Sequence, residues 1–251
     1  MSMRLEKFLA ECGIASRRSS KKYIQAGRVT VNDECVRVPG RHIVADRDTI
    51  KFDGSRVEGN PQRVYLMLNK PTGYLTTRSD ERGRPIVMEL VRGSSQDIYP
   101  VGRLDLDTSG LLLMTNDGAF AYRLTHPSHE VKKTYIAQVE RQPSQQAIQQ
   151  LRDGIEIVGG CTAPAIVVQI GRKGELAQFK LVIHEGKKRQ IRRMFKAVGH
   201  NVIELKRVQI GSLKLGRLAL GEYRMLTPAE VQSLQNDINP ASQPTRDHQG
   251  T

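Results

Sequence analysis

The sequence contains no tryptophan, and aromatics make up only 5% of its 251 residues. Its three cysteines, Cys12, Cys35 and Cys161, stand far apart with no CxxC pair. That spacing supports neither a disulfide framework nor a zinc cluster, and it points to a reducing, cytoplasmic setting. Long hydrophobic stretches are missing too. The apolar run Leu111–Met114 has four residues, where a membrane-spanning helix needs about 20. From Arg4 onward the N-terminus alternates charged and apolar residues and shows no signal-peptide core. Acidic residues are in deficit, 26 Asp and Glu against 39 Lys and Arg, giving a formal net charge of +13 and a pI near 9.9. Hydrophobic residues at 38% and charged residues at 26% fit a folded chain rather than a disordered one.

The excess charge is concentrated. Residues 1–60 carry a net +4 and residues 183–217 a net +8, while everything else comes to +1. A single basic run is often only a solvated face. Two on one chain point to a polyanionic partner, namely nucleic acid. Neither run adjoins a large apolar face with bulky anchors, so a membrane surface is not indicated.

Residues 4–12 place Leu5, Phe8, Leu9 and Cys12 at helical spacing, and Gly13 ends that helix. A second helix spans about Ser19–Ala26, with Ser16, Ser19 or Ser20 as cap, Gly27 as stop, and Arg17, Arg18, Lys21 and Lys22 at its entry. A hairpin follows, with Val29 and Val31 on one strand, Asn32-Asp33 in the turn and Cys35–Val38 returning. Residues 53–63 are rich in glycine and polar residues and read as a linker. Beyond it, strands are expected at Tyr65–Leu68, Leu111–Met114, Lys133–Val139, Cys161–Ile170 and Ala177–Ile183. Helices are expected at Pro143–Asp153 and Lys188–Val198, and Tyr99–Asp107 reads as irregular. Strands dispersed among helices without a βαβ rhythm indicate α+β with a mostly antiparallel or mixed sheet. The organisation expected is therefore a small domain at 1–60, a larger one at 61–235, and a disordered tail at 236–251, the polar character setting in at Gln232.

Three segments could carry chemistry. On the Lys188–Val198 helix, Ile191, Met194, Phe195 and Val198 form an apolar stripe that is simply core. Arg189, Arg192, Arg193 and Lys196 form a basic stripe, either a solvated face or a clamp for phosphate and carboxylate, to which the arginine fork is suited. Lys187 and Lys188 precede it in a turn. In GRLDLDTSG (102–110), Asp105 lies between Leu104 and Leu106, so its carboxylate is expected to be semi-buried and to need a cation from Arg103 or the basic stripe. Asp107 reads as an ordinary Asx turn. Tyr135, at a strand start flanked by lysines, is either a packing residue or a platform for a base.

Together these pieces resemble the RsuA-like family of rRNA pseudouridine synthases over about residues 2–235. RLEKFLAECGIASRRSSKKYIQAGRVTVNDECV (4–36) looks like an S4 RNA-binding domain. YLMLNKPTGYLTT (65–77), VGRLDLDTSGLLLMTNDG (101–118), KKTYIAQV (132–139) and EGKKRQIRRMFKAVGH (185–200) look like the family's motifs in order. The resemblance implies an α+β fold with the active site in a cleft, Asp105 as catalytic nucleophile, Tyr135 packing against the target uracil, and Arg192 pairing with Asp105. It implies isomerisation of a uridine in ribosomal RNA, in naked RNA or an assembly particle, with no cofactor and no metal; nothing in the sequence demands more than a monomer. Attack at C1′, attack at C6 and a glycal route stay open, as does the target subunit. The RNA-binding set is Arg17, Arg18, Lys21, Lys22, Arg103, Lys187, Lys188, Arg189, Arg193 and Lys196, with the S4 unit, the loop Thr77–Arg84 and the basic helix choosing the target. The competing reading is a non-catalytic S4-type RNA-binding or ribosome-assembly factor, against which the intact GRLD, KTY and QIR segments speak.

Overall fold

The computed structural model describes residues 2–58, 62–93 and 98–238. The chain divides into two compact units: Met1–Val64 with Asn116–Gly118, and Tyr65–Thr115 with Ala119–Thr251.

The first unit begins with β1 (Ser2–Arg4), α1 (Leu5–Glu11) and α2 (Arg17–Gln25). Ser16 caps α2 by accepting the Ser19 N–H at 3.1 Å, which satisfies one of the helix's orphan donors. Strands β2 (Val29–Val31), β3 (Glu34–Val36), β5 (Ile50–Phe52) and β6 (Ser55–Arg56) form a sheet ordered β3-β2-β5-β6, while β4 (His42–Val44) pairs with β1. Leu5, Leu9, Ile24, Val29, Val31, Ile43 and Ile50 make its core. The segment read as a linker from residue 53 opens instead with a hairpin. Asp53 and Gly54, both at positive φ, form its tight turn, and Arg28 donates to the Asp53 carboxylate. An Asp-Gly pair between short extended runs is the signal for such a turn.

The second unit holds a nine-stranded sheet among the described residues. Its strands are β7 (Tyr65–Lys70), β8 (Tyr99–Val101), β9 (Ser109–Thr115), β10 (Lys133–Glu140), β13 (Ile166–Lys173), β14 (Leu176–Ile183), β15 (Val202–Ile210), β16 (Leu213–Lys214) and β17 (Tyr223–Met225). The main order is β13-β14-β10-β15-β9-β7-β17, with β8 beside β9 and β16 beside β15. All pairings are antiparallel except β9 with β15. The mixed α+β architecture expected from the sequence is what forms. A small hairpin, β11 (Glu156–Ile157) with β12 (Gly160–Cys161), lies apart from this sheet.

Helices α3 (Gly118–Thr125), α4 (Gln145–Asp153), α5 (Gln190–Ala197) and α6 (Pro228–Ile238) complete the unit. Buried Met67, Leu111, Leu113, Phe120, Leu124, Leu213, Leu234 and Ile238 share one core. On α5, Ile191, Met194 and Phe195 are buried, with the Phe195 ring 5.6 Å from Phe179.

Three expectations are corrected, and one strand goes unread in the sequence. Gln232–Ile238 belong to α6 rather than to a disordered tail, because Leu234 and Ile238 give that polar stretch a buried edge; residues 239–251 lie outside the described residues. Tyr99–Val101 is a strand, not irregular chain. The expected Cys161–Ile170 strand splits into β12 and β13 around Pro164, which has no N–H to give a ladder. Strand β15 escapes a reading by periodicity because Glu204, Lys206 and Arg207 interrupt its alternation, although Arg207 is buried.

Candidate active site

Asp105 sits in the loop between β8 and β9, half-buried, with Leu104 packed inside and Leu106 47% exposed. The end of β7 and the segment after it hold this loop in place. Lys70 Nζ donates to the carbonyls of Pro71 at 2.9 Å, Asp105 at 3.2 Å and Thr108 at 2.9 Å. The Gly73 N–H donates to the Leu106 carbonyl at 2.8 Å. The Thr76 hydroxyl donates to the Leu104 carbonyl at 2.8 Å. Leu104, Asp105, Leu106 and Thr108 are therefore positioned through their backbones, as rigid presentation of a functional group requires.

Lys70 is 0% exposed. Burial pushes its ammonium down to about 8, and Arg207 adds to that depression, while the charges of Asp105 and Asp107 oppose it. Sequence reading misses this residue; a lysine ending the apolar run YLMLN is its only signal.

The carboxylate of Asp105 makes no hydrogen bond or ion pair with any described residue. Lys70, Arg189 and Arg192 sense its charge without touching it. The expected pairing of Arg192 with Asp105 is thus corrected: Arg192 engages Asp107. Its Nη2 donates to the Asp107 carbonyl at 2.7 Å, and its Nε stands 3.2 Å from the Asp107 carboxylate. Nη1 donates to the Val202 carbonyl. Arg189 completes the clamp with a two-pronged contact, 2.8 Å and 2.7 Å, to both Asp107 oxygens. Arg189 itself takes a left-handed backbone, φ 53°, so α5 begins one residue later, at Gln190.

Burial alone would raise the Asp107 carboxyl, but the Arg189 hydrogen bonds and the two arginine charges outweigh it and hold the group below its usual range. Burial lowers Arg192, with Asp107 acting in the opposite direction. Asp107 is accordingly no ordinary turn residue. Its signal is the second carboxylate two positions beyond Asp105, at the same loop tip.

Tyr135 is 8% exposed on β10. Its cross-strand partner on β15 is Arg207, and Arg207 Nη1 donates to its hydroxyl at 3.4 Å. A register shift in the β10–β15 ladder falls between Thr134 and Tyr135, an irregularity of the kind that re-aims a side chain beside a site. Lys133, two residues before, is pushed down to about 8 by burial and then by Arg207, and its Nζ donates to the carbonyls of Val131 and His184.

The remaining cations divide into tied and free. Lys187 is paired with Glu185, and Arg193 donates to the Val158 carbonyl at 2.6 Å. Arg103, Lys188 and Lys196 are exposed. In the first unit, Arg17, Arg18, Lys21 and Lys22 are exposed on α2, and none is in an ion pair with a described residue. The loop Thr77–Arg84 is organised by Asp80, which accepts from the Arg84 side chain and from the Arg82 and Arg84 N–H groups. Those bonds, led by the Arg84 side chain, hold the Asp80 carboxyl at about 2. No cluster of three or more metal-ligating side chains occurs among the described residues. No described helix is long and apolar enough to cross a membrane.

Residues 64–197 match the family model described as RNA pseudouridylate synthase, and residues 3–46 match the S4 domain. "Ribosomal large subunit pseudouridine synthase B" of Bacillus subtilis is 43% identical over 234 residues, covering 92% of this chain and 95% of the relative. "Ribosomal small subunit pseudouridine synthase A" of Yersinia pestis is 37% identical and covers 92% and 98% respectively. A crystal structure of a pseudouridylate synthase superposes with a TM-score of 0.67 at 33% identity, covering 92% of this chain and 99% of that one. A family model spanning more than half of the chain, and relatives aligned along nearly all of it, place this protein in the RNA pseudouridylate synthase family, with an S4 domain at its N-terminal end.

Proposed function

We propose that this chain isomerises a uridine of ribosomal RNA to pseudouridine, with Asp105 as the catalytic carboxylate. The observation that carries this reading is a carboxylate left unpaired on a loop whose backbone is pinned at Leu104, Asp105, Leu106 and Thr108. The reaction breaks the C1′–N1 bond, turns the uracil and makes a C1′–C5 bond. The hydrogen on C5 leaves as a proton and N1 gains one, so nothing is oxidised or reduced. Cleavage builds positive character at C1′, which an ionised carboxylate stabilises or traps covalently, as in glycosidases. Lys70, Arg189 and Arg192 lie near enough to interact with the charge of Asp105, and because none of them bonds to its carboxylate oxygens, the carboxylate is free to meet C1′. Arg192 then acts through Asp107, fixing the loop rather than the nucleophile.

Tyr135 packs against the extruded uracil and offsets part of the few kcal/mol that unstacking the base costs. Arg17, Arg18, Lys21 and Lys22 on the S4 domain, with Arg103, Lys187, Lys188, Arg193 and Lys196, contact the RNA backbone. Arg189 serves the Asp107 clamp first. The Bacillus subtilis and Yersinia pestis relatives are named for ribosomal subunits, and the two basic patches suit such a polyanion.

The test is to incubate the enzyme with large-subunit rRNA, small-subunit rRNA and partly assembled particles, then map carbodiimide-dependent stops of reverse transcription. A single new stop at a uridine is expected. RNA binding without a new stop on any substrate would favour the assembly-factor reading.

A further inference from the structure

The sheet register lines up four residues on neighbouring strands. Lys70 on β7 is opposite Gly110 on β9, Gly110 is opposite Arg207 on β15, and Arg207 is opposite Tyr135 on β10. The middle of this row is its tightest point. A Cβ on Gly110 would come within 2.2 Å of the Arg207 carbonyl oxygen, and Gly110 has φ +105°. Only glycine allows β9, the strand that carries the Asp105 loop, to approach β15 so closely.

Arg207 is 3% exposed. Its Nε donates to the Leu111 carbonyl of β9 at 2.8 Å, and its Nη1 to the Tyr135 hydroxyl of β10 at 3.4 Å. Its guanidinium carbon stands 6.0 Å from the Tyr135 ring centre. No carboxylate pairs with it among the described residues. Its Nη2 is buried and has no hydrogen-bond partner there either. A buried guanidinium without a counter-ion is costly, and a lysine and an arginine in one buried row repel each other. Core packing alone gives no reason to keep such a group.

Resting on the reading of Tyr135 as a site residue, we propose that Arg207 is a positioning residue for the reaction: its guanidinium ties the Tyr135 hydroxyl to the backbone of the Asp105-bearing strand, so that ring and carboxylate keep one spacing. Arg207 does this across two strands with a planar group whose donors lie at fixed angles. A lysine there offers a point charge on a flexible stem and cannot hold both acceptors at the same angles.

The experiment is a double-mutant cycle on the full-length enzyme, reading kcat and KM from tritium released by rRNA transcripts labelled at uracil C5. The variants are Tyr135→Phe, Arg207→Lys, Arg207→Gln and each arginine variant combined with Tyr135→Phe, with thermal melting beside each. Each single change is expected to lower kcat about tenfold or more with KM within about twofold. The doubles are expected to fall within about twofold of the worse single, because hydroxyl and guanidinium act as one unit. A double mutant whose loss is the product of the two single losses would overturn the proposal. So would a wild-type kcat in Tyr135→Phe, or arginine variants that lose melting temperature while keeping kcat per folded molecule. Failure of the functional reading itself is seen separately, as absence of tritium release by the wild type before any variant is compared.

Discussion

Three carbonyl oxygens, those of Pro71, Asp105 and Thr108, converge on the Lys70 ammonium, which has three N–H bonds to give. A neutral amine has only two, and its lone pair would face the third carbonyl. With the Lys70 proton held at about 8, activity is expected to fall as pH rises through that value, even as binding to RNA persists. Stability should move the other way. In the unfolded chain a lysine keeps its proton up to about 10.4, whereas Lys70 and Lys133 release theirs near 8 when folded. Between those values the unfolded state binds more protons, so these two groups favour folding increasingly as pH rises. A pH–rate profile beside pH-dependent melting checks both signs. An alkaline loss of activity that follows unfolding would refute this role for Lys70.

Asp107 permits a second test at the same scale. Asp107→Ala removes the carboxylate shared by Arg189 and Arg192, and should cost about 1–2 kcal/mol once solvent screening of a pair 40% and 44% exposed is allowed for. Arg189→Ala should cost less, because the buried Arg192 keeps its carboxylate. Chemical denaturation of the two variants gives the comparison, and equal losses would count against the shared clamp.

Elements depend on close approaches that composition does not reveal. Gly110→Ala places a methyl group against the Arg207 backbone at a positive φ. It should cost about 2 kcal/mol or more, lowering the melting temperature by at least about 4–8 °C. A wild-type Tm would mean that β9 and β15 can part without penalty. In α6, Leu234→Ala should cost about 2–5 kcal/mol, since Leu234 is fully buried in the core shared with Leu111 and Phe120.

These elements also mark what is legible in the sequence. Helical spacing on residues 4–12 and 190–197 stands out because one face is dry and the other wet. The stretches at 65–68 and 111–114 stand out because Leu66–Leu68 and Leu111–Met114 are apolar and buried on both faces. Strand β15 and helix α6 do not. The first buries an arginine where an apolar residue is expected, and the second hides two core contacts in a polar stretch. Asp105 and Tyr135 stand out by their neighbours, and the resemblance gives them roles. Lys70, Asp107 and Arg207 act through partners 35 to 96 residues away along the chain, and no local pattern carries that information.

At the scale of the whole molecule, the net charge of +13 makes RNA affinity salt-dependent. Each phosphate contact contributes about −0.7 to −0.9 to the slope of log K against log salt. Replacing Arg17, Arg18, Lys21 and Lys22 with glutamine should weaken binding and flatten that slope by about this amount for every phosphate no longer neutralised. An unchanged slope would remove the S4 domain from the RNA interface. Exchanging that domain with a relative's and mapping the modified uridine would show whether it selects the target; a site that does not move assigns the choice to the larger unit.

The central claim, a carboxylate that attacks or stabilises C1′ from a pinned loop, is tested most directly by tritium release from rRNA transcripts labelled at uracil C5, with wild type and Asp105→Asn side by side. Every C1′–C5 bond formed expels the label, so counts report turnovers. Release is predicted for the wild type and none for Asp105→Asn, with the variant's RNA affinity within about threefold of wild type, since the change removes one charge and no phosphate contact. Release by Asp105→Asn at the wild-type rate would contradict the claim.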